Sequence, residues 1–401
     1  MIKAIMNGVP KDIVRIPMFV NGVEHEGWEV RDQQGAILWA ANKTLTGTNS
    51  IPMKGYGLPL VSMTLEGNET QTGTPTPDSP IWPEECGDKT VNLFDKDNYN
   101  ILQAYFPSLQ GTVTLTYESA NRCVWIPCKP NTAYTASRVS GKRFAIGCAV
   151  DTPAAGVTVY NVVGSSSGTT NLTTTTTADA NYLVVYLRNG NISGETSLQI
   201  VEGSQPLPYE PYGKYKLPLT LNGVTQNIYL SDPLRKIGEY ADKVSSTNVA
   251  TRPIAKMILT GQETTWRLTG SGRIAVRIGM TVSIPDNASC LCTHFVGTSA
   301  TSFSAIGDGE CSAQLSGSGG YREIGFYSTT YSTLEDFKQY VTTQYAAGTP
   351  VCVWYVLATP TTEQVTIPTL TPADGNDTLT VNTTLAPSAL SITGHVKART
   401  V

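Results

Sequence analysis

Asn92-Leu93-Phe94-Asp95 and Pro208-Tyr209-Glu210-Pro211-Tyr212-Gly213 bracket the middle of this 401-residue chain and set off a cassette over 92–213. Pro and Gly bar regular ladders at its edges. The interior alternates Val, Ile, Thr and Tyr between clusters of Gly, Ser and Asn, the pattern of strands joined by turns. Seven runs read as strands, at 112–117, 123–127, 132–136, 144–150, 157–163, 182–187 and 197–201. That spacing predicts a β-sandwich or jelly roll. The low-complexity piece 164–177 fits either a disordered loop or an edge strand whose threonine hydroxyls face water.

Working outward, residues 214–385 read as a second β-sandwich. A hairpin at 216–230 turns on Asn222-Gly223, and apolar runs at 255–259, 273–278, 323–327 and 351–357 follow. One helix is predicted at about 332–347. Ser332 and Glu335 form a capping box, Leu334, Phe337, Val341 and Tyr345 an apolar stripe, and Gly348 with Pro350 the stop. Thr378-Leu-Thr-Val-Asn-Thr is expected as a last edge strand or an arm projecting to another subunit, with 386–401 as a C-terminal tail. On the other side, 61–91 carries Pro75, Pro77, Pro80 and Pro83 and reads as an extended, semi-rigid connector. Residues 1–60 read as a small β-unit with a hairpin at Asn21-Gly22, too small to be robust alone and so expected to dock on a partner. The fold class is all-β and multi-domain.

Charged residues make up 15% of the chain, against about 25% in an ordinary soluble domain. A net charge of −4 without a Lys/Arg cluster argues against nucleic acid or an anionic membrane as the primary partner. No run approaches the roughly 18–20 apolar residues of a membrane span. The opening apolar run, broken at Gly8 and Pro10, is too short for a signal peptide, so folding in a cytosol is expected. Eight cysteines suit that compartment as free, buried, inert thiols.

Five ordered phrases carry a resemblance: Ser62-Met-Thr-Leu-Glu-Gly-Asn-Glu-Thr-Gln-Thr-Gly-Thr-Pro-Thr-Pro-Asp-Ser-Pro, Gly87-Asp-Lys-Thr-Val-Asn-Leu-Phe-Asp, Tyr209-Glu-Pro-Tyr-Gly, Ile228-Tyr-Leu-Ser-Asp-Pro-Leu-Arg-Lys-Ile-Gly and Leu357-Ala-Thr-Pro-Thr. Over about 60–385 the chain resembles minor structural proteins of tailed bacteriophages and prophages, and its central segment resembles a carbohydrate-binding-module jelly roll. The resemblance implies a virion component assembled in the host cytoplasm, of tail, baseplate or fibre type, that contacts host-surface glycans. It implies other virion proteins and copies of itself as partners, in a homotrimer or another symmetric oligomer. A purely architectural head or collar fibre, spike or decoration protein is the alternative. No cofactor is expected. A structural calcium is compatible with such a jelly roll, but no pattern here identifies its ligands.

Catalytic signatures are thin, and an enzyme is not expected. His25, His294 and His395 fall in separate regions, and no nucleophile elbow, H-E-x-x-H helix or P-loop occurs. Glu24-His25-Glu26 on a strand would place the histidine opposite both acids. Asp374-Gly-Asn-Asp377 lacks the order and the distal Glu of a calcium loop. Asp95, Asp97, Glu118 and Asp151 read as turn or cap residues. Glycan recognition needs aromatic faces beside short polar side chains. The candidates are Trp125, Tyr134, Tyr160, Tyr182 and Tyr186, with Arg188, Asn189 and Asn191 nearby in a loop, and Trp125, Tyr182 and Tyr186 lead among the aromatics. Trp125, between Val124 and Ile126, also fits a core position. Tyr182 and Tyr186 share a face by period two and either form an outward platform or fill the sandwich.

Overall fold

The computed structural model describes the chain outside residues 1, 7–8, 14–28, 32–36, 41–42, 53–59, 69–70, 139–142, 166–169, 189–197, 222, 280–282, 286–287, 317–320, 369–377, 382–389 and 397–401. It is all-β apart from one α-helix and a single 3-10 turn among the described residues, and it divides into two units. One is continuous, residues 89–215; the other joins 1–88 to 216–401.

The continuous unit is the cassette. Its main sheet runs Gln110–Thr114, Thr158–Ser165, Phe144–Ala149, Tyr182–Leu187, Arg122–Pro127 and Asn100–Leu102, antiparallel throughout. A second sheet of Thr170–Thr175, Ala133–Arg138 and Gln199–Glu202 packs on one face. The threonine run is thus an edge strand. Alternation decides the layers: Val124, Phe144, Ile146, Leu183, Val185 and Leu187 point toward Tyr134, Ala136, Leu172 and Ile200. The opposite face is covered by Phe106, Val113 and Leu115, around the two-stranded ribbon of Ala104–Tyr105 and Thr116–Tyr117. Gly147 is required where the Thr158–Ser165 strand bulges over it, since a Cβ there would lie 2.7 Å from Val159 and 2.9 Å from the Tyr160 carbonyl.

The two bracketing phrases meet. Asn92, 4% exposed, donates from Nδ2 to the Glu210 carbonyl at 3.0 Å, and its Oδ1 accepts from Phe94 N at 3.0 Å and Ile200 N at 3.1 Å. Gln199 donates to the Leu207 and Pro208 carbonyls at 3.0 and 3.2 Å and accepts from Glu210 N at 2.6 Å. Glu210 Oε2 accepts from Val91 N at 3.0 Å. A chain that cannot form a ladder at its prolines pairs its backbone through these side chains instead.

In the discontinuous unit, a seven-stranded sheet runs Cys290–Cys292, Cys352–Gln364, Val249–Ile258, Lys243–Ser245, Leu60–Gly67, Leu390–Val396 and Lys43–Thr48. The expected C-terminal tail is therefore an interior strand, paired with Leu60–Gly67 and Lys43–Thr48. The expected N-terminal unit is likewise not separate, because Lys43–Thr48 belongs to this sheet and Ser50–Pro52 pairs with Thr378–Val381 in another. Thr378–Val381 lies between Tyr215–Leu221 and Ser50–Pro52, so it is neither an edge nor an arm. Buried Met63, Leu65, Leu390 and Ile392 fix the register. The Asn21-Gly22 hairpin lies outside the described residues.

The predicted connector is also corrected. Leu60–Gly67 is a sheet strand, and 71–86 is a strap packed on the same unit. Ile81 N donates to the Thr293 carbonyl at 2.8 Å, and Gln71 Nε2 bridges the Ile81 and Cys292 carbonyls at 2.8 and 2.9 Å. Cys86 and Leu234 exchange both backbone bonds at 2.8 Å. Lys256 sits over the rings of Trp82 and Trp354, at 5.3 and 4.6 Å from their centroids.

A five-stranded sheet of Arg267–Leu268, Ile274–Gly279, Arg322–Tyr327, Glu310–Ser316 and Val296–Thr298 completes this core. The helix Leu334–Ala346 packs Phe337 and Val341 against Phe295, Phe326, Cys352 and Val353. Its cap lies one residue beyond the expected box. Thr333 Oγ1 accepts from Asp336 N at 3.1 Å and donates to Asp336 Oδ2 at 2.6 Å. The stripe shifts as well: Tyr340 is buried, and Tyr345 is 51% exposed.

Between strap and sheet lies a buried ionic knot. Arg235 Nε donates to Glu85 Oε1 at 2.6 Å, and Arg252 Nη2 to Glu363 Oε2 at 3.1 Å. Asp242, 0% exposed, accepts from Arg235 N at 3.2 Å and Ile254 N at 3.4 Å, with Arg252 Nη1 at 3.6 Å. Burial outweighs the two guanidiniums and pushes the Asp242 carboxyl up from 3.8 to about 7.

Two outcomes follow for stability. Asn92→Ala leaves the Phe94 and Ile200 N–H groups without their acceptor, at about 1–3 kcal/mol for each. Urea unfolding of the variant should show a loss of a few kcal/mol, and a loss below about 0.5 kcal/mol contradicts the pairing. For Asp242, the folded group keeps its proton to about pH 7 while the unfolded group releases it near 3.8. The native state therefore binds more protons in that window, and this contribution to stability is present below it and falls as pH rises through it. Unfolding free energies measured across the window should show a shallower decline in Asp242→Asn than in the parent chain.

Candidate functional site

Strand register decides which of the candidate aromatics meet. Pro127 opposes Tyr182, Trp125 opposes Val184 and Cys123 opposes Tyr186, so Trp125, Tyr182 and Tyr186 all project from the face away from the second sheet. That face is not uniform along the strand. At one end Phe106 stacks on Tyr186, with centroids 5.6 Å apart and planes 21° from parallel, and Arg143 lies 5.9 Å over the same ring. Tyr186 is consequently 2% exposed. It is a core residue, which corrects its expected place in a glycan platform: the period-two argument found the right face but not the ribbon that covers it.

At the other end the face opens. Trp125 and Tyr182, both half-buried, meet edge to face with centroids 5.1 Å apart and planes at 80°. The Tyr182 hydroxyl accepts from Thr152 Oγ1 at 3.2 Å. Asn100, exposed, stands directly opposite Trp125 across the Asn100–Leu102 ladder and so shares its face. Neither Asn100 nor Thr152 stood out in the sequence, since only the register brings them to the pair. Trp125 is thus neither core nor free surface. This edge offers an amphipathic aromatic corner with an amide and a hydroxyl beside it.

Arg188 is exposed at the end of the Tyr182–Leu187 strand, where its N–H donates to the Arg143 carbonyl at 3.1 Å. It lies at the Tyr186 end and does not join the open pair. Asn189 and Asn191 lie outside the described residues, as do Glu24-His25-Glu26 and Asp374 to Asp377. Two of the four acids behave as turn residues: Asp95 Oδ1 accepts from Asp97 N at 2.9 Å, and Glu118 accepts from Asn121 Nδ2.

Among the described residues no group of three or more His, Cys, Asp or Glu side chains converges to hold a metal ion, and no helix is long and apolar enough to cross a membrane. His294 is fully buried, with Nδ1 at 2.7 Å from Thr293 Oγ1, and burial lowers it to about 4, so the imidazole is neutral at pH 7. All eight cysteines are free, and seven are buried. Burial pushes the Cys86 and Cys352 thiols up to about 12, which keeps them protonated and unreactive.

No family model and no curated protein matches this chain. A solved structure described as the triple jelly roll fold and turret assembly in an archaeal virus aligns with 97% of this chain and 88% of its own length, at 9% identity and a TM-score of 0.13. A score that low carries no argument about fold or role.

Proposed function

We propose that this chain is a non-catalytic structural component of a viral particle, of tail, baseplate or fibre type, whose cassette contacts host-surface glycans. The virion part of the reading is supported by the five ordered phrases in the sequence. Two of these, Asn92-Leu93-Phe94-Asp95 and Tyr209-Glu210-Pro211-Tyr212-Gly213, supply the seam that closes the cassette. The glycan part rests on one observation: the half-buried Trp125–Tyr182 corner, flanked by Asn100 and Thr152, on an otherwise covered sheet face. Aromatic faces take the C–H side of a sugar ring, and the amide and hydroxyl take its hydroxyls.

A purely architectural role is favoured by a different observation. Along the seam Val91, Leu93, Leu207, Tyr209 and Tyr212 are 38–46% exposed. Such a run of apolar side chains suits burial against neighbouring copies in an assembly.

The two readings separate in one experiment. Purified protein is tested on a glycan array and on host cells, and the particle is probed with antibody against this chain. Labelling of the particle with glycan binding that falls about tenfold or more in Trp125→Ala, an aromatic contact of about 1.4 kcal/mol, supports adhesion. Labelling with no glycan or cell binding supports architecture, and absence of the chain from the particle contradicts both.

A further inference from the structure

Outside the cassette, an open cleft of about 460 Å³ lies along the helix Leu334–Ala346, lined by Thr330, Tyr331, Asp336, Gln339, Tyr340 and Gln344. Its volume falls within the roughly 300–1,000 Å³ of small-molecule sites. The helix builds it by spacing. Asp336, Gln339, Tyr340 and Thr343 recur three and four residues apart, so they line one side of the helix beside the buried Phe337–Val341 face.

The aromatic wall is held rigidly. Tyr340, 7% exposed, meets His294 edge-on at 5.9 Å, and its hydroxyl donates to the Pro77 carbonyl of the strap at 3.3 Å. Tyr331 stacks on it with centroids 4.3 Å apart and planes 24° from parallel. Tyr331 is itself half-buried, so one ring face is spent on Tyr340 and the ring stands at the cleft.

The polar wall is partly committed. Asp336 Oδ2 serves the helix cap, and Gln344 Oε1 accepts from Thr349 Oγ1 at 2.7 Å. Asp336 Oδ1, Gln339 Oε1 and the Tyr331 hydroxyl have no hydrogen-bond partner among the described residues. These open atoms are acceptors or a hydroxyl, and among the described residues no Lys, Arg or His lines the cleft. A ligand that satisfies them must therefore bring hydrogen-bond donors, which sugar hydroxyls supply, and an anion would meet Asp336 with no cation in that lining to offset it.

We propose that this cleft binds an uncharged saccharide, with its ring against Tyr331 and its hydroxyls donating to Asp336 and Gln339. The site is independent of the Trp125–Tyr182 corner and does not rest on the virion reading.

Saturation-transfer NMR on the full chain tests it, with methyl glucoside, methyl galactoside and N-acetylglucosamine as neutral probes and choline and sialic acid as charged ones. At least one neutral probe should receive saturation on its ring protons, and sialic acid none. Affinity for that probe should fall about tenfold in Tyr331→Ala, about 1.4 kcal/mol, and also fall in Gln339→Ala, an exposed helix position whose change leaves fold and cap intact. Trp125→Ala should leave this binding in place. No transfer to any neutral probe, transfer to choline alone, or neutral-probe binding unchanged in both Tyr331→Ala and Gln339→Ala overturns the proposal. Binding lost in Trp125→Ala but kept in Gln339→Ala overturns it too, while sparing the cassette reading.

Discussion

Pairing of buried backbone polar groups at the two ends of the cassette is the constraint on which its structure depends. A sandwich whose chain enters and leaves through proline-rich segments cannot close by ladder alone, because proline supplies no N–H. Asn92, Gln199 and Glu210 solve this with side-chain amide and carboxylate groups that reach seven backbone N–H and C=O groups around the seam. The Gln110–Thr114 to Asn100–Leu102 sheet can then present one face to a second sheet and the other to the Phe106 ribbon. Among the described residues, the Trp125–Tyr182 end of that second face stays open.

The discontinuous unit uses the same rule at longer range. Strands from residues 43–67 and 390–396 lie side by side, and the strap 71–86 crosses to Thr293 and Leu234 by backbone bonds. Its charged residues are paired where they are buried: Glu85 with Arg235, Glu363 with Arg252, Glu323 with Arg267. Such pairs stabilise little by themselves, yet losing one partner leaves an uncompensated buried charge. They fix which segments sit together.

Much of the architecture was legible in the sequence because alternation is a local signal. The strands at 123–127, 144–150 and 182–187 were readable to within a residue and the helix to within two, its Phe337 and Val341 remaining on the buried face despite a one-residue shift of cap from Ser332 to Thr333. What escaped is non-local. Pro75, Pro77, Pro80 and Pro83 suggested a solvated connector, but composition does not reveal that Pro75 and Pro83 are buried where the strap packs on its unit. Leu390–Val396 looked like a tail because its partners are more than 300 residues away in sequence. At the site, periodicity placed Tyr182 and Tyr186 on one face correctly, yet it could not show Phe106 lying over one of them and not the other. Asn92 and Glu210 were visible as turn-like phrases, and their role as mutual partners was not.

The claim that the seam belongs to the cassette's cooperative core is tested most directly by native-state hydrogen exchange of the intact chain. The Phe94, Ile200 and Glu210 amides, each donating to a seam side chain, should exchange as slowly as those of the central Tyr182–Leu187 strand, through the same global opening. Fast exchange at those three amides beside a protected central strand would contradict the account, because the cassette would then hold together without its ends.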